Sequence, residues 1–202
     1  MALTDAATIK SWANPALDSS RDTELTRCAG IASEWVKAAA RRVIEETVFT
    51  RYFSGFDAFG SPQFEMLLLE ASHRPLIYPG TGGGAFSVKE DGITLTHAQG
   101  YNANVDVIVE NANTDHRAAL TRRGGWSRDI SNIEVIYTAG YATASVPSRV
   151  KHLATEVAWL IFQSPGWLGK ATIGTGAGSV TFEKELTPQS REVLDELRAD
   201  TL

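Results

Sequence analysis

Apolar residues recur at intervals of three or four along four stretches of the chain, which is the spacing of an amphipathic helix. The stretches cover about 4–12, 22–46, 147–163 and 188–200. Thr4 precedes the first stretch as a cap, and Thr187 with Pro188 opens the last, since Thr caps helices and Pro suits their first turn. The stretch at about 22–46 is the clearest helix that the sequence predicts.

Between the second and third helices the pattern changes to short runs of β-branched and aromatic residues separated by turn residues, which is typical of strands. The runs are Thr47–Phe53, Phe64–Leu69, Ala85–Val88, Ile93–Thr96, Val105–Val109 and Ile133–Tyr137. Glycine-rich runs at 80–84 and 124–125 predict flexible tips. The expected fold class is therefore α+β and predominantly helical: a small helical bundle with a β-rich insertion, or protrusion, at about 47–141.

Beyond the third helix the composition changes again. A Gly-rich segment at 166–178 leads to a predicted short strand at Ser179–Phe182 and then to the final helix. That helix has a narrow apolar stripe, made of Val193, Leu194 and Leu197. We therefore expect residues 166–202 to form a linker and a peripheral C-terminal helical arm.

The length of 202 residues, with 43% hydrophobic and 21% charged residues, is typical of a globular protein with one main domain. The longest strongly apolar stretches, Met66–Leu69 and Val157–Phe162, are far shorter than the roughly 20 residues of a membrane-spanning helix. The N-terminus has neither the basic start nor the apolar run of a signal peptide. We expect neither membrane insertion nor secretion.

Cysteine content and net charge further narrow the range of possible functions. Cys28 is the only cysteine, so one copy forms no disulfide and no thiolate zinc site, and a reducing compartment fits best. The formal net charge of −5 argues against a general nucleic-acid binder, which needs Lys and Arg to neutralise phosphates. A weakly repulsive wall, by contrast, suits a channel through which DNA slides.

The sequence contains no constellation that points to catalysis. The glycine run at 80–84 lacks the Gly-Lys-Ser/Thr ending of a phosphate-binding loop. Asp115 and His116 are adjacent in a turn-like segment, and Cys28 lies in the apolar stripe of a helix, where a thiol behaves as a small hydrophobic group. The histidines are scattered without metal-binding spacing: His73, His97, His116 and His152. We expect no enzyme activity, and no catalytic, cofactor or metal site.

Three groups of residues are candidates for subunit contacts, and for the first two a solvated surface is the alternative. The polar face of the second helix carries Glu34, Lys37, Arg41 and Arg42. A basic cluster around Trp126 suits an acidic partner, a phosphate or a stacked base; it comprises Arg117, Arg122, Arg123 and Arg128. The third group is Leu194 and Leu197 of the final helix.

The stretch from Ile133 to Tyr141, Ile-Glu-Val-Ile-Tyr-Thr-Ala-Gly-Tyr, is followed by Val146-Pro147 and an Ala-rich helix. This stretch resembles the closing signature of the head-tail connector (adaptor, head completion) proteins of tailed bacteriophages. The remaining matching pieces fall in the expected order: Leu3 to Trp12, Thr23 to Thr50, Leu67-Leu68-Leu69, His73-Arg74-Pro75-Leu76, Asp91-Gly92 and Gly125-Trp126. The resemblance covers about Leu3 to Gln163. The chain departs from the family pattern at two places: a long middle segment, Pro79 to Arg123, and an additional C-terminal tail, Gly166 to Leu202.

The resemblance implies a connector-like domain at 1–165 in a structural adaptor that forms a ring of about twelve copies. Its implied partners are other copies, the portal protein, a downstream tail or stopper protein, and DNA that passes through the lumen without sequence specificity. It implies a virion component at the head-tail interface, assembled in the host cytoplasm. Twelve copies carry a formal charge of about −60, twelve times the −5 of one chain, which suits a DNA conduit.

Two other readings stay open from the sequence. One is a carbohydrate- or ligand-binding β module of a phage or bacterial protein, whose exposed Tyr78, Tyr101 and Trp126 stack on a ligand. The other is an enzyme built from dispersed residues, which would show a deep pocket with convergent polar groups.

Overall fold

The computed structural model of the protein describes residues 2–13, 17–55, 66–79, 84–102, 104–127, 129–163 and 185–199. The chain divides into two compact units. The helical unit comprises Met1–Arg42 and Thr143–Leu202, and the β unit comprises Val43–Ala142. Within the described parts of the chain, no helix has both the length and the apolar character needed to cross a membrane.

The prediction of a predominantly helical fold is wrong. Of the described residues, about 36% are helical and 25% lie in strands, which form two sheets. The protein is therefore a mixed α+β protein. The helical fraction falls short partly because the second helix ends at Ala39, seven residues before the predicted end. Arg41 adopts a left-handed backbone with φ of 52°, and this stops the helix although apolar residues continue at helical spacing.

Four α-helices lie in the described part of the helical unit: α1 (Ala6–Lys10), α2 (Asp22–Ala39), α3 (Ser148–Gln163) and α4 (Pro188–Ala199). Short 3₁₀ turns lie at Ser19–Arg21 and Thr143–Ser145. Small residues on α2 and α3 let these two helices pack closely; the buried alanines are Ala29, Ala32, Ala154 and Ala158. The apolar stripes that the sequence shows are thus the contact faces of this unit.

The first helix begins one residue later than a Thr4 cap predicts. Asp5 is the cap, because its Oδ1 accepts the Thr8 amide at 2.7 Å. The hydroxyl of Thr4 is instead buried against that of Thr155 at 2.8 Å. Thr4 therefore joins the start of the chain to α3.

Among its described residues, the β unit has nine strands: β1 (Thr47–Phe53), β2 (Met66–Leu68), β3 (Leu76–Ile77), β4 (Phe86–Glu90), β5 (Ile93–Thr94), β6 (His97–Gln99), β7 (Val107–Glu110), β8 (Ala119–Arg122) and β9 (Ile133–Ala139). The first sheet has the order β1-β9-β4-β5, with β3 also paired to β9. The second has the order β2-β8-β7-β6, in which β6 and β7 are parallel. All the other strand pairs described are antiparallel.

The inner faces of the two sheets share one apolar core. Alternate residues of β4 and β9 are buried, as is expected for strands with one face against a core. The core lies around Tyr137, which is fully buried, and Trp126, which is 5% exposed. Its other members include Leu67, Leu76, Val88, Val107, Val109, Leu120, Ile133 and Val135.

A strained corner joins β9 to the helical segment that follows. Gly140 has φ of 99°, and a Cβ atom there would lie 2.3 Å from the carbonyl oxygen of Glu45. Only glycine fits both demands. This corner lies inside the stretch that resembles the connector signature, so the motif has a local physical role.

All six predicted runs contain a strand or part of one, but β3, β6 and β8 were not predicted. These three strands have two to four residues each. Several predictions lie outside the described residues: Phe64 and Glu65 of one run, most of the glycine run at 80–84, the segment 166–178, the strand Ser179–Phe182 and Arg128. The predicted division at residue 165 stays a prediction.

Candidate assembly surfaces

The predicted contact face on α2 is only partly present. Glu34 is exposed and accepts a hydrogen bond from Lys37 at 2.7 Å, so this pair already compensates its own charge. Arg41 is exposed just beyond the end of the helix. Arg42 is 8% exposed and therefore does not belong to this face. The surface left for a partner is the exposed side of α2 around Glu34 and Arg41.

Arg122 is a structural residue rather than a free surface cation. Its Nε and Nη2 both donate to Oε2 of Glu90, at 3.1 and 3.0 Å. The other oxygen of Glu90 accepts the Ser127 amide at 2.7 Å. Glu90 is 8% exposed, so the ion pair ties β4 of the first sheet to β8 of the second near the core.

The other described members of the basic cluster have different surroundings from one another. Trp126 belongs to the core of the β unit. Arg117 is exposed, but its Nε donates to the carbonyl oxygen of Leu69. Arg123 is exposed, and Arg128 lies outside the described residues. The structure therefore does not bring the predicted cluster together as one basic surface around an aromatic ring.

Leu194 and Leu197 do not form an exposed stripe. They are 1% and 2% exposed and lie on the face of α4 that packs in the helical unit. Both side chains are therefore already buried within one chain.

A buried carboxylate fixes the start of α4. Glu156 of α3 is 5% exposed, and its Oε1 accepts the Thr187 amide at 2.6 Å. Its Oε2 accepts the hydroxyls of Thr187 and Ser190. A carboxylate at a helix N-terminus satisfies free amides and interacts favourably with the helix dipole. Glu156 is thus the polar anchor of α4.

A second polar network lies inside the β unit. His73 is 6% exposed, and its Nδ1 lies 2.5 Å from the hydroxyl of Tyr137 while its Nε2 lies 3.2 Å from Glu70. Because the Glu70 carboxylate only accepts, Nε2 carries the proton and Nδ1 accepts from Tyr137. Phe49 stacks on the imidazole with a centroid separation of 3.8 Å. The network therefore joins β1, β9 and the segment after β2.

Burial governs ionisation in this network. Burial lowers the pKa of His73, partly offset by the neighbouring Glu70 carboxylate. Burial also raises the pKa of Tyr137 far above its ordinary value. Tyr137 is fully buried, so its hydroxyl offers no access to a reactant in solvent. Both groups stay neutral near pH 7 and act as hydrogen-bonding partners.

A similar pair, Tyr78 and His97, lies elsewhere in the β unit. The hydroxyl of Tyr78 lies 2.7 Å from Nδ1 of His97, and Phe86 packs edge-on against the same imidazole. Burial lowers the pKa of His97 and raises the pKa of Tyr78. Of the three aromatic residues in the ligand-module reading, only Tyr101 is well exposed, at 87%. Tyr78 and Trp126 are not available for a shared stacking platform.

The described residues offer little that would bind a small molecule or a metal ion. A groove of about 310 Å³ in the helical unit is lined by Ser148, Arg149, His152, Gln189, Ser190 and Val193. Arg149 forms an ion pair with Glu196, and His152 packs against Trp12. In the described ranges, no group of three or more His, Cys, Asp and Glu is placed to hold a metal ion. Asp115 accepts a hydrogen bond from Tyr141 rather than acting with His116.

The exposed apolar side chains of the β unit were not singled out by the sequence. Val48 and Tyr52 of β1 are 58% and 60% exposed, and Met66 and Leu68 of β2 are 53% and 41% exposed. Their strands read as apolar on both faces, which predicts burial on both sides. The sequence therefore shows apolar residues on both faces of these strands, but it does not show which face the chain itself covers.

No family model matches the sequence. A search of curated proteins gives no match either. Among solved structures, the chain is similar to one from the neck of an empty GTA particle, computed with C6 symmetry. The two chains are 12% identical over 96% of this chain and 88% of the other, with a TM-score of 0.53. At this identity the likeness shows a shared fold.

Proposed function

We propose that this chain is a non-catalytic structural subunit of a phage-type head-tail neck. In this proposal about twelve copies form a ring between the portal and the next tail component, as an adaptor in the virion. The ring encloses a lumen through which DNA passes. The immediate partners are neighbouring copies, the portal protein and a downstream tail or stopper protein.

The observation that carries the proposal is the likeness in fold to a chain from a particle neck over nearly the full length of this chain. GTA denotes a phage-like gene transfer agent, so that neck belongs to a phage-like particle. The likeness agrees with the motif order that resembles the connector family. The first observation rests on backbone geometry and the second on residue identity.

Assembly into a closed ring requires two unlike, complementary surfaces on each subunit. A ring of about twelve copies is a multiple of the sixfold symmetry with which the similar neck was computed. The negative net charge of each copy favours a lumen wall that does not bind the DNA passing through it. Glu34, Lys37 and Arg41 stay predicted contact residues.

The test is the mass of the purified full chain by multi-angle light scattering over a range of concentrations. The chain is measured alone and then with a candidate portal protein from the same genome. We expect a ring of about twelve copies, alone or on the portal, visible as an annulus by negative-stain electron microscopy. A monomer or dimer at every concentration that does not bind the portal contradicts the proposal.

A further inference from the structure

The β unit presents a partly apolar outer face on its first sheet. Val48, Thr50 and Tyr52 alternate with the inward residues of β1, and the strand register places Thr50 beside Ile136 of β9. One end of this face is polar: Lys89 donates to Glu134 at 2.7 Å, and Tyr52 donates to the same carboxylate at 3.0 Å. The first-sheet face thus has an apolar part next to the Lys89 ammonium, which Glu134 already orients.

The outer face of the second sheet lies on the opposite side of the shared core. The register aligns Met66, Thr121 and Ile108 in one row across β2, β8 and β7. The adjacent row contains Leu68, Ala119 and Glu110. Glu110 is exposed, and it accepts a hydrogen bond from the Thr121 hydroxyl at 3.0 Å. This face is apolar with one carboxylate at its margin.

We infer that these two outer faces form the head-to-tail contact between neighbouring copies of this chain. The first-sheet face of one copy packs on the second-sheet face of the next, and Glu110 of one copy approaches Lys89 of the other. The inference rests on the proposed ring and assigns the surfaces that close it. Two unlike faces on opposite sides of the two-sheet sandwich, the β unit with its shared core, are what a heterologous contact requires.

Charge complementarity favours a second copy as the occupant, and the exposed area bears on how strongly two copies pair. The Lys89 ammonium has three donors, of which Glu134 takes one, so a carboxylate from another chain can share it. The exposed parts of Val48, Tyr52, Met66 and Leu68 amount to on the order of 400 Å², well under the roughly 1,200 Å² that a stable pair buries. An isolated pair is therefore weak, whereas ring closure gives every copy two such contacts.

The experiment joins the two faces covalently in a Cys28→Ala background. Thr50→Cys marks the first face, and Thr121→Cys marks the second. The doubly substituted chain is treated with a short bismaleimide linker at a concentration where the unchanged chain forms rings. We expect a ladder of covalent dimers, trimers and larger species on a denaturing gel, because each copy links to two neighbours.

The single-cysteine variants serve as matched controls. Each alone is expected to remain monomeric on the gel, and an equimolar mixture of the two is expected to give dimers only. A covalent dimer from one single variant indicates a contact of like faces and overturns the inference. Rings seen by light scattering and microscopy without a ladder overturn it as well, while the proposed function stands.

A blocking variant gives a second readout. Val48→Lys and Leu68→Lys each place a charge in one face, and we expect either to lower the ring fraction at least tenfold. Ile130→Lys is the control, because Ile130 is 72% exposed but lies in the loop before β9, outside both faces. Equal ring fractions for all three variants overturn the inference. Failure of the unchanged chain to form rings, with or without portal, is instead the failure of the proposed function.

Discussion

The ion pair between Glu90 and Arg122 shows how a side chain of surface type can serve the core. The pair lies between the inner faces of the two sheets, and Glu90 also accepts the Ser127 amide. The pair stabilises the fold only when both partners are present. A buried carboxylate that loses its cation lowers the stability of the folded state far more than an exposed one does.

We expect Arg122→Ala to lower the free energy of unfolding by about 2–3 kcal/mol, because it leaves the Glu90 carboxylate without its cation. Arg123→Ala, at an exposed neighbour, is expected to change it by no more than about 0.5 kcal/mol. Urea unfolding followed by tryptophan fluorescence measures both. Equal losses for the two variants would contradict the assigned role of Arg122.

Two histidines, the buried His73 and the partly buried His97, make the β unit sensitive to acid. In the folded chain burial lowers the pKa of His73 and of His97 below the ordinary value of 6.5. In the unfolded chain both take up a proton at about 6.5. Between the lowered pKa values and 6.5 the unfolded state therefore binds more protons, and stability rises with pH.

We therefore expect the free energy of unfolding to be fully present above pH 6.5 and to fall as the pH decreases through the lowered pKa values. The double variant His73→Gln/His97→Gln removes both titrating groups and is expected to flatten this slope. Urea titrations at half-unit pH steps from 7.5 to about 4.5 measure it. An unchanged slope in the double variant would show that other groups cause the acid sensitivity.

These residue-scale roles were only partly predictable. The sequence placed Arg122 in a basic cluster with a solvated surface as the alternative, and it did not indicate that Glu90 lies opposite, because the two residues are 32 positions apart. His73 was read as isolated for the same reason. Hydrogen-bond partners distant in sequence are set by the strand register, which a local pattern does not contain.

At the scale of elements, α4 shows how a helix with a narrow apolar stripe is held in place. Its three apolar residues, Val193, Leu194 and Leu197, are buried, and Glu156 anchors its first turn. A narrow stripe on its own predicts weak packing. The polar anchor explains why the helix nevertheless belongs to the helical unit.

We expect Glu156→Ala to lower the free energy of unfolding by about 2 kcal/mol and to speed amide exchange in the first turns of α4, because three donors lose their acceptor. Glu156→Gln keeps one carbonyl acceptor and is expected to have an intermediate effect. Hydrogen exchange followed by mass spectrometry measures this, with Glu192→Ala on the exposed side as control. Unchanged exchange in Glu156→Ala would refute the anchoring role.

The element boundaries differ in how well the sequence indicated them. The ends of α3 agree with the prediction to within a residue, since Pro147 precedes its start and Pro165 follows its end. Conversely, β8 contains Ala119 and Leu120 followed by two polar residues, so its period is not visible. Short strands are stabilised by their neighbours in the sheet rather than by their own propensity.

At the scale of the whole molecule, the β unit is one continuous segment with its own core and closely spaced ends. The Tyr141 amide donates to the carbonyl oxygen of Ile44 at 2.9 Å, and the Glu46 amide donates to that of Tyr141 at 3.1 Å. A segment whose ends meet and whose core is internal meets the conditions for independent folding.

We expect the fragment 43–142 to fold on its own, with a cooperative urea transition and dispersed amide resonances. The expectation follows because the buried cluster of the sandwich lies wholly within these residues. Circular dichroism and a two-dimensional NMR spectrum of the fragment test it. A fragment with collapsed amide dispersion would show that the sandwich depends on residues beyond its own segment.

The residue pattern was enough to predict the four helices in the described ranges, the strands with clear β-branched runs and the corner at Gly140, because these depend on local spacing, capping and backbone freedom. It also indicated the connector-like order of motifs. The folded contacts were needed to show that the two sheets enclose a separate core and that Val48 and Met66 face outwards. They also showed that Arg122, Trp126, Leu194 and Leu197 contact other parts of the same chain. The physical reason is that burial is a property of contacts between distant segments, and a residue's type shows what it can contact but not what covers it.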